Sequence, residues 1–172
     1  MKPEELQPAI AGRFSNGVEP LETPFDIPQY RVDPEALLPL LEFLKASGFD
    51  MLLDVGGVDY YPRSPRFEVV YHLLDTKTRA RVRLRCTPAD DDPVVPTASH
   101  LWPSANPAER EVYDLFGVRF SGHPNLTRIM MPTDWAGHPL RKDYPLKGPR
   151  EELEARYVAE KNRYHAPRLA EG

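Results

Sequence analysis

The chain has 172 residues, 41% hydrophobic and 28% charged, which is the range of one globular domain. Its 22 basic and 26 acidic side chains are mixed along the sequence and sum to −4, so no overall field draws in nucleic acid or an anionic membrane. The single cysteine, Cys86, excludes an internal disulfide and the clustered thiolates of an iron–sulfur centre, and fits a cytosolic compartment.

No run approaches the ~18 apolar residues needed to cross a bilayer, and the opening MKPEELQPAIAGRF has no apolar signal-peptide core. The 20 prolines limit long regular elements, because each internal one removes a donor and fixes φ.

Residues 1–26 are rich in Pro and Glu with scattered apolar positions and read as a poorly ordered N-terminal arm. A short strand is expected at Gln29–Val32. Asp33 then offers an N-cap, Pro34 a first helical position and Gly48 a stop, with Pro39 either kinking the helix or moving its start to Leu38. Three strands follow. Met51–Tyr60 carries Gly56–Gly57, which suggests a bulge, and Phe67–Leu74 places Phe67, Val69, Tyr71 and Leu73 on one face. The third, RARVRLRC at 79–86, alternates without a fault: Ala80, Val82, Leu84 and Cys86 one way, four arginines the other. Asp75–Thr78 has the length of a hairpin loop.

After a proline-broken linker, Asn106 reads as a cap, Pro107 as the first helical residue, Glu109 as the partner in a capping-box-like pattern and Gly117 as the stop. Ala108, Val112, Leu115 and Phe116 form the expected buried stripe, with Arg110 and Asp114 paired at i, i+4 outside. Regular pattern then lapses until 149–164, which suits a short terminal helix with a thin apolar face.

Chemistry-bearing groups read mostly as structural. His123 and His138 each sit in Gly-His-Pro, and zinc would need Asp134 or Asp143 to converge on them; turn histidines bonded to backbone are the simpler reading. Cys86 falls on the apolar side of its strand, opposite the arginines, and reads as inert. The arginine stripe suits a solvated sheet edge protected against mispairing, or alternatively an interface with an acidic protein surface. Glu109, Arg110, Glu111 and Asp114 could be drawn as an acid–base set, but capping and surface pairing come first. Asp54 and Asp59 have no identifiable partner. Dinucleotide, P-loop, H-E-x-x-H, C-x-x-C and G-x-S-x-G motifs are missing from the sequence.

In 118–146, Val118, Phe120, Leu126, Ile129, Met130, Met131, Trp135, Leu140 and Tyr144 carry on the order of ten kcal/mol of burial at ~25 cal/mol/Å². Prolines at 124, 132, 139 and 145 keep this stretch from forming one helix or strand, so part of that surface is expected to be covered by another protein.

Residues 109–146, EREVYDLFGVRFSGHPNLTRIMMPTDWAGHPLRKDYPL, resemble the signature region of the 30-kDa (C-type) subunit of respiratory complex I, the NADH-quinone oxidoreductase. Resemblance is weaker over 30–105 and absent over 1–26. Thr127 stands where the family usually has a basic residue, with Arg128 following.

The resemblance implies an α+β domain at 27–117, with a small, mostly antiparallel sheet flanked by helices, and an extended irregular arm at 118–172 that wraps a partner. It implies a scaffold without its own cofactor, the iron–sulfur clusters and FMN residing in other subunits. The implied partners are the large quinone-site subunit and neighbouring iron–sulfur subunits. The implied location is peripheral, on the cytoplasmic face of the inner membrane. Signature positions expected as interface or structural contacts, with no catalytic role, are Glu109, Arg110, Glu111, Asp114, His123, Arg128, Trp135, His138, Arg141, Lys142 and Asp143. The rival readings are the equivalent subunit of a membrane-bound hydrogenase or ferredoxin-linked dehydrogenase, and a small hydrolase using His123 or His138.

Overall fold

Alternating side chains build the centre of the molecule. In the computed structural model, which describes residues 3–23 and 27–146, Phe67–Leu74 and Arg81–Cys86 are adjacent antiparallel strands. Val69, Tyr71, Leu73, Val82, Leu84 and Cys86, each at most 1% exposed, share one face. The elements in chain order are α1 (Pro3–Arg13), β1 (Val18–Leu21), β2 (Gln29–Val32), α2 (Pro34–Ala46), β3 (Met51–Asp59), β4 (Phe67–Leu74), β5 (Arg81–Cys86), β6 (Val94–Pro96), α3 (Ala105–Phe116) and β7 (Arg119–Ser121). The main sheet has the order β1-β2-β5-β4-β3, antiparallel throughout except for the parallel pair β2–β5. β6 and β7 form a separate parallel pair.

Leu37, Leu40, Leu41 and Leu44 recur at the 3, 1 and 3 spacing that lines one helical stripe, and all four are 0% exposed in one cluster with the inward sheet residues. The fold is α+β, as the sequence implied, with a mixed, mostly antiparallel sheet. Gly57 fixes how α3 meets that sheet: a Cβ there would lie 2.6 Å from the Phe116 ring, so only glycine lets the helix settle on β3.

Several expectations are corrected. The arm at 1–26 contains α1 and β1, whose strand extends β2 antiparallel, and Leu6 and Ile10 are 1% and 2% exposed within the main core. That single buried pair at i, i+4 seats α1 on the core, and just beyond its end Phe14 packs edge-on against Phe43 of α2. Helix α2 runs from Pro34 through Pro39 without a later start. The irregularity of β3 falls between Leu52 and Asp54, not at the glycine pair. β5 is an interior strand, not an edge, and Arg79 has left it for a turn at φ 63°. α3 begins at Ala105 after Ser104, so Asn106 is inside the helix and caps nothing. The polypeptide beyond Gly117 first returns to the domain as β7, burying Val118 and Phe120 to 1% and 3% exposure. The expected helix at 149–164 lies outside the described residues.

Candidate functional site: a strap pinned along one helix

Residues 122–146 contain no helix or strand, yet they follow a definite path along α3. The anchors are two acids of that helix, Glu109 and Asp114, both 0% exposed where the sequence pattern had assigned the surface.

Asp114 is the principal anchor. Its Oδ2 accepts the consecutive amides of Ile129, Met130 and Met131 at 2.9, 2.7 and 2.8 Å, while Oδ1 accepts Arg128 Nη1 at 2.6 Å. Burying a carboxylate costs several kcal/mol, and charge-assisted bonds of about 1.5–3 kcal/mol each offset that cost only when this complete. Burial pushes the Asp114 acidity toward the neutral form, but the Met131 amide, Arg128 and the other two amides more than reverse it, leaving the carboxyl below its ordinary range. Arg128 then spends its second nitrogen on the carbonyls of Trp135 and Gly137, both at 2.8 Å, so one guanidinium gathers two turns of the strap.

The strap also completes the end of α3. A helix leaves its last carbonyls without partners, and cations there complement its dipole. His138 Nδ1 lies 2.9 Å from Asp114 O, Leu140 N donates to Leu115 O at 3.0 Å, and Arg141 Nε donates to Phe116 O at 2.6 Å. Gly117 closes the helix at φ 77° and leaves room for His138 and Arg141 to reach those carbonyls. Burial, with Arg141 and Arg128 nearby, holds His138 below the usual histidine range despite its bond to the carbonyl.

The other end of α3 is tied down through Glu109. Its Oε1 accepts Ala98 N at 2.6 Å, and its Oε2 accepts Thr97 Oγ1 at 2.5 Å. His123 Nδ1 accepts the Asn125 amide at 3.0 Å, which leaves Nε2 to donate to Asn106 O at 3.2 Å. Nε2 is also 3.9 Å from Glu109, and both side chains are 0% exposed. Burial raises Glu109 to about 7 against the opposing bonds from Thr97 and Ala98.

A third clasp joins the strap to the sheet. Arg66 bridges Asp59 at 2.9 Å and Asp143 at 2.6 Å, with Asp59 fully enclosed and Asp143 45% exposed. Lys142 N donates to the same Asp59 at 2.8 Å. Burial pushes the Asp59 pKa up, but Arg66 and the amides of Lys142 and Tyr61 outweigh it and hold the pKa at about 2. Arg66 and Arg141 both lie over the Phe67 ring, at 4.7 and 5.1 Å from its centroid.

The signature positions thus divide. Glu109, Asp114, His123, Arg128, His138, Arg141 and Asp143 join α3 or the sheet to the strap. The expected Arg110–Asp114 pair does not form, because Asp114 is saturated by the strap; Arg110 donates instead to Thr127 O and Arg128 O at 2.9 and 3.0 Å. Trp135 is half-buried, and Glu111 is exposed, as is Lys142 apart from its amide. His123 and His138 bond opposite ends of α3, so they do not converge on a metal, and the enclosed His123–Glu109 pair offers no surface to a substrate. Asp59 was noted without a partner, and Arg66 and Thr97 were missed, since no local pattern distinguishes them.

While the backbone is held, several apolar side chains are not covered: Ile129, Met130, Leu140 and Leu146 are 41%, 61%, 51% and 103% exposed. The geometry defines an α+β domain carrying a hydrogen-bonded strap that presents apolar groups outward. The family described as respiratory-chain NADH dehydrogenase, 30 Kd subunit, matches residues 30–150. The second C-type NADH-quinone oxidoreductase subunit of Rhizobium meliloti (strain 1021) is 45% identical over 148 residues, 84% of this chain and 81% of its own length. The C-type NADH-quinone oxidoreductase subunit of Roseiflexus sp. (strain RS-1) is 49% identical over 118 residues, 67% of this chain and 68% of its own. The solved trypsin-resistant fragment of Nqo5 superposes with a TM-score of 0.64 at 35% identity, over 70% of this chain and 98% of the fragment. A chain of the archaeal membrane-bound sulfane sulfur reductase shares the fold, with a TM-score of 0.68 at 24% identity over 90% of each chain. The chain belongs to the family of the 30 Kd subunit of respiratory-chain NADH dehydrogenase.

Proposed function

We propose that this chain is the C-type scaffold subunit of a proton-translocating NADH-quinone oxidoreductase, without a cofactor of its own. In this reading the outward side of the strap lies against the large quinone-site subunit, beside subunits whose iron–sulfur clusters carry electrons from NADH to quinone. The assembly sits on the cytoplasmic face of the inner membrane, and among the described residues no helix is long and apolar enough to cross it.

One observation carries the reading: Met130 and Ile129 stay exposed although their own amides are fixed by Asp114. A backbone immobilised in advance loses little further entropy on docking, so its exposed apolar groups contribute nearly their full burial. Sequence identities of 45% and 49% to NADH-quinone oxidoreductase subunits support this branch over a hydrogenase-type complex.

The test is Met130→Asp. It should abolish recovery of the chain with the quinone-site subunit from solubilised membranes while leaving the isolated chain's melting temperature unchanged. Normal recovery would overturn the placement of the strap at that interface.

A further inference from the structure

We propose that the uncovered face of the five-stranded sheet docks an acidic amphipathic helix of another protein, its apolar stripe on β3 and β4 and its carboxylates on β5. The site is distinct from the strap; the assembly arm of its test rests on the proposed function, and the peptide arm does not.

The two sheet faces differ sharply. Inward residues of β4 and β5 are at most 2% exposed. On the opposite face Arg81 is exposed, Val70, Leu74 and Arg83 are half-buried, and Met51 is 47% exposed. The register aligns them in rows across the strands: Met51, Leu74, Arg81; then Asp54, His72, Arg83; then Gly56, Val70, Arg85. Two apolar patches on β3–β4, Met51 with Leu74 and Gly56 with Val70, divided by Asp54 and His72, therefore lie beside a cationic band on β5, which β2 extends with Arg31 opposite Arg85.

The charge on this face is only partly matched from within. Arg85 pairs with Glu68 at 2.9 Å and Arg31 with Glu19 at 3.5 Å. Among the described residues no carboxylate bridges Arg81 or Arg83, and the buried Nε of Arg83 has no acceptor. A buried donor without a partner is unfavourable, and an incoming carboxylate would supply the missing acceptor.

Dimensions favour a helix as the occupant. A helix about 10–12 Å across, laid along β4, spans from β3 to β5 at strand spacings of ~4.8 Å. Arginines at alternate positions of β5 stand ~7 Å apart, close to the ~6 Å between acids at i and i+4 of a helix. Asp54 and Glu68, on the same face, would repel a continuous array of phosphates, whereas carboxylates at fixed positions can avoid them.

The face is tested with Arg81→Cys in the full chain, since the native Cys86 is 0% exposed and gives little background labelling. Maleimide should label the isolated chain readily and the assembled enzyme at least about tenfold more slowly. In a second arm, an 18-residue helical peptide with a Leu stripe bordered by Glu at i and i+4 should bind the native chain. The pair Arg81→Glu and Arg83→Glu should weaken it at least about tenfold and favour the Lys-for-Glu peptide. Circular dichroism melting confirms that the variants fold. A chain that assembles normally yet labels at full speed at position 81 overturns the proposal and leaves the strap reading intact. So does faster labelling after truncation at Leu146, which would make residues 147–172 the occupant, or protection by phosphatidylglycerol vesicles equal to that by the peptide.

Discussion

Asp114 and Arg128 meet at 2.6 Å with side chains 0% and 13% exposed, and between them they fix the start and the middle of the strap. Removing the cation strands a buried carboxylate. Arg128→Ala should therefore cost about 3–5 kcal/mol in urea unfolding and open the strap to protease. Arg128→Lys keeps the charge but loses the planar fork, and should fall between the two. Native-like stability of Arg128→Ala would show that the three amides alone hold Asp114.

Arg66 separates two unequal partners. Asp59 is enclosed, so Arg66→Met should cost about 3 kcal/mol or more by leaving it uncompensated. Asp143 is 45% exposed, so Asp143→Asn should cost less than about 1 kcal/mol while increasing proteolysis near Pro145. Equal losses from both substitutions would contradict this division.

Glu109 makes stability depend on pH in the direction opposite to Asp59. Its folded-state value, raised from 4.5 to about 7, means the folded chain binds more protons than the unfolded one between those limits. The stabilisation is complete below 4.5 and is lost as pH rises to 7, on the order of 3 kcal/mol. Glu109→Gln keeps an acceptor for Ala98 N and reverses the Thr97 bond, its Nε2 donating to Oγ1, without the charge, and should flatten that slope. Asp59, lowered from 3.8 to about 2, instead loses its contribution as pH falls through that interval, and the Gln variant should keep this acid limb. Chemical denaturation from about pH 2 to 8 reads both.

Gly117→Ala should destabilise the chain by about 1 kcal/mol or more, because φ is 77° and the new methyl would strike the His138 ring at 2.6 Å. Nuclear magnetic resonance should show the change concentrated at His138 and Arg141 rather than in the sheet.

What the sequence revealed follows from the range of each interaction. The alternation of β5, the Pro34 start of α2 and the Gly117 stop are local patterns, and all three match the structure. The acids of α3 misled for the same reason: Arg110 is the nearest cation to Asp114 in sequence, but the donors that matter come 14 to 17 residues later. Arg66 meets Asp143 across 77 positions, beyond any local signal. α1 went unread because its buried face rests on one pair, Leu6 and Ile10, too few positions to make a helical period. The signature stretch itself was legible as a family resemblance, whereas its inward role in pinning the strap required coordinates.

The parallel pairing of Gln29–Val32 with Arg83–Cys86 sets an order on biosynthesis. Antiparallel hairpins close as soon as their second strand emerges, but β2 must wait until β5 has left the ribosome, with α2, β3 and β4 already strung between them. The strap, by contrast, can find α3 almost at once, because its contacts with that helix span only 14 to 25 residues. The central seam is therefore the high-contact-order step and limits how fast the nascent polypeptide becomes competent to join its neighbours.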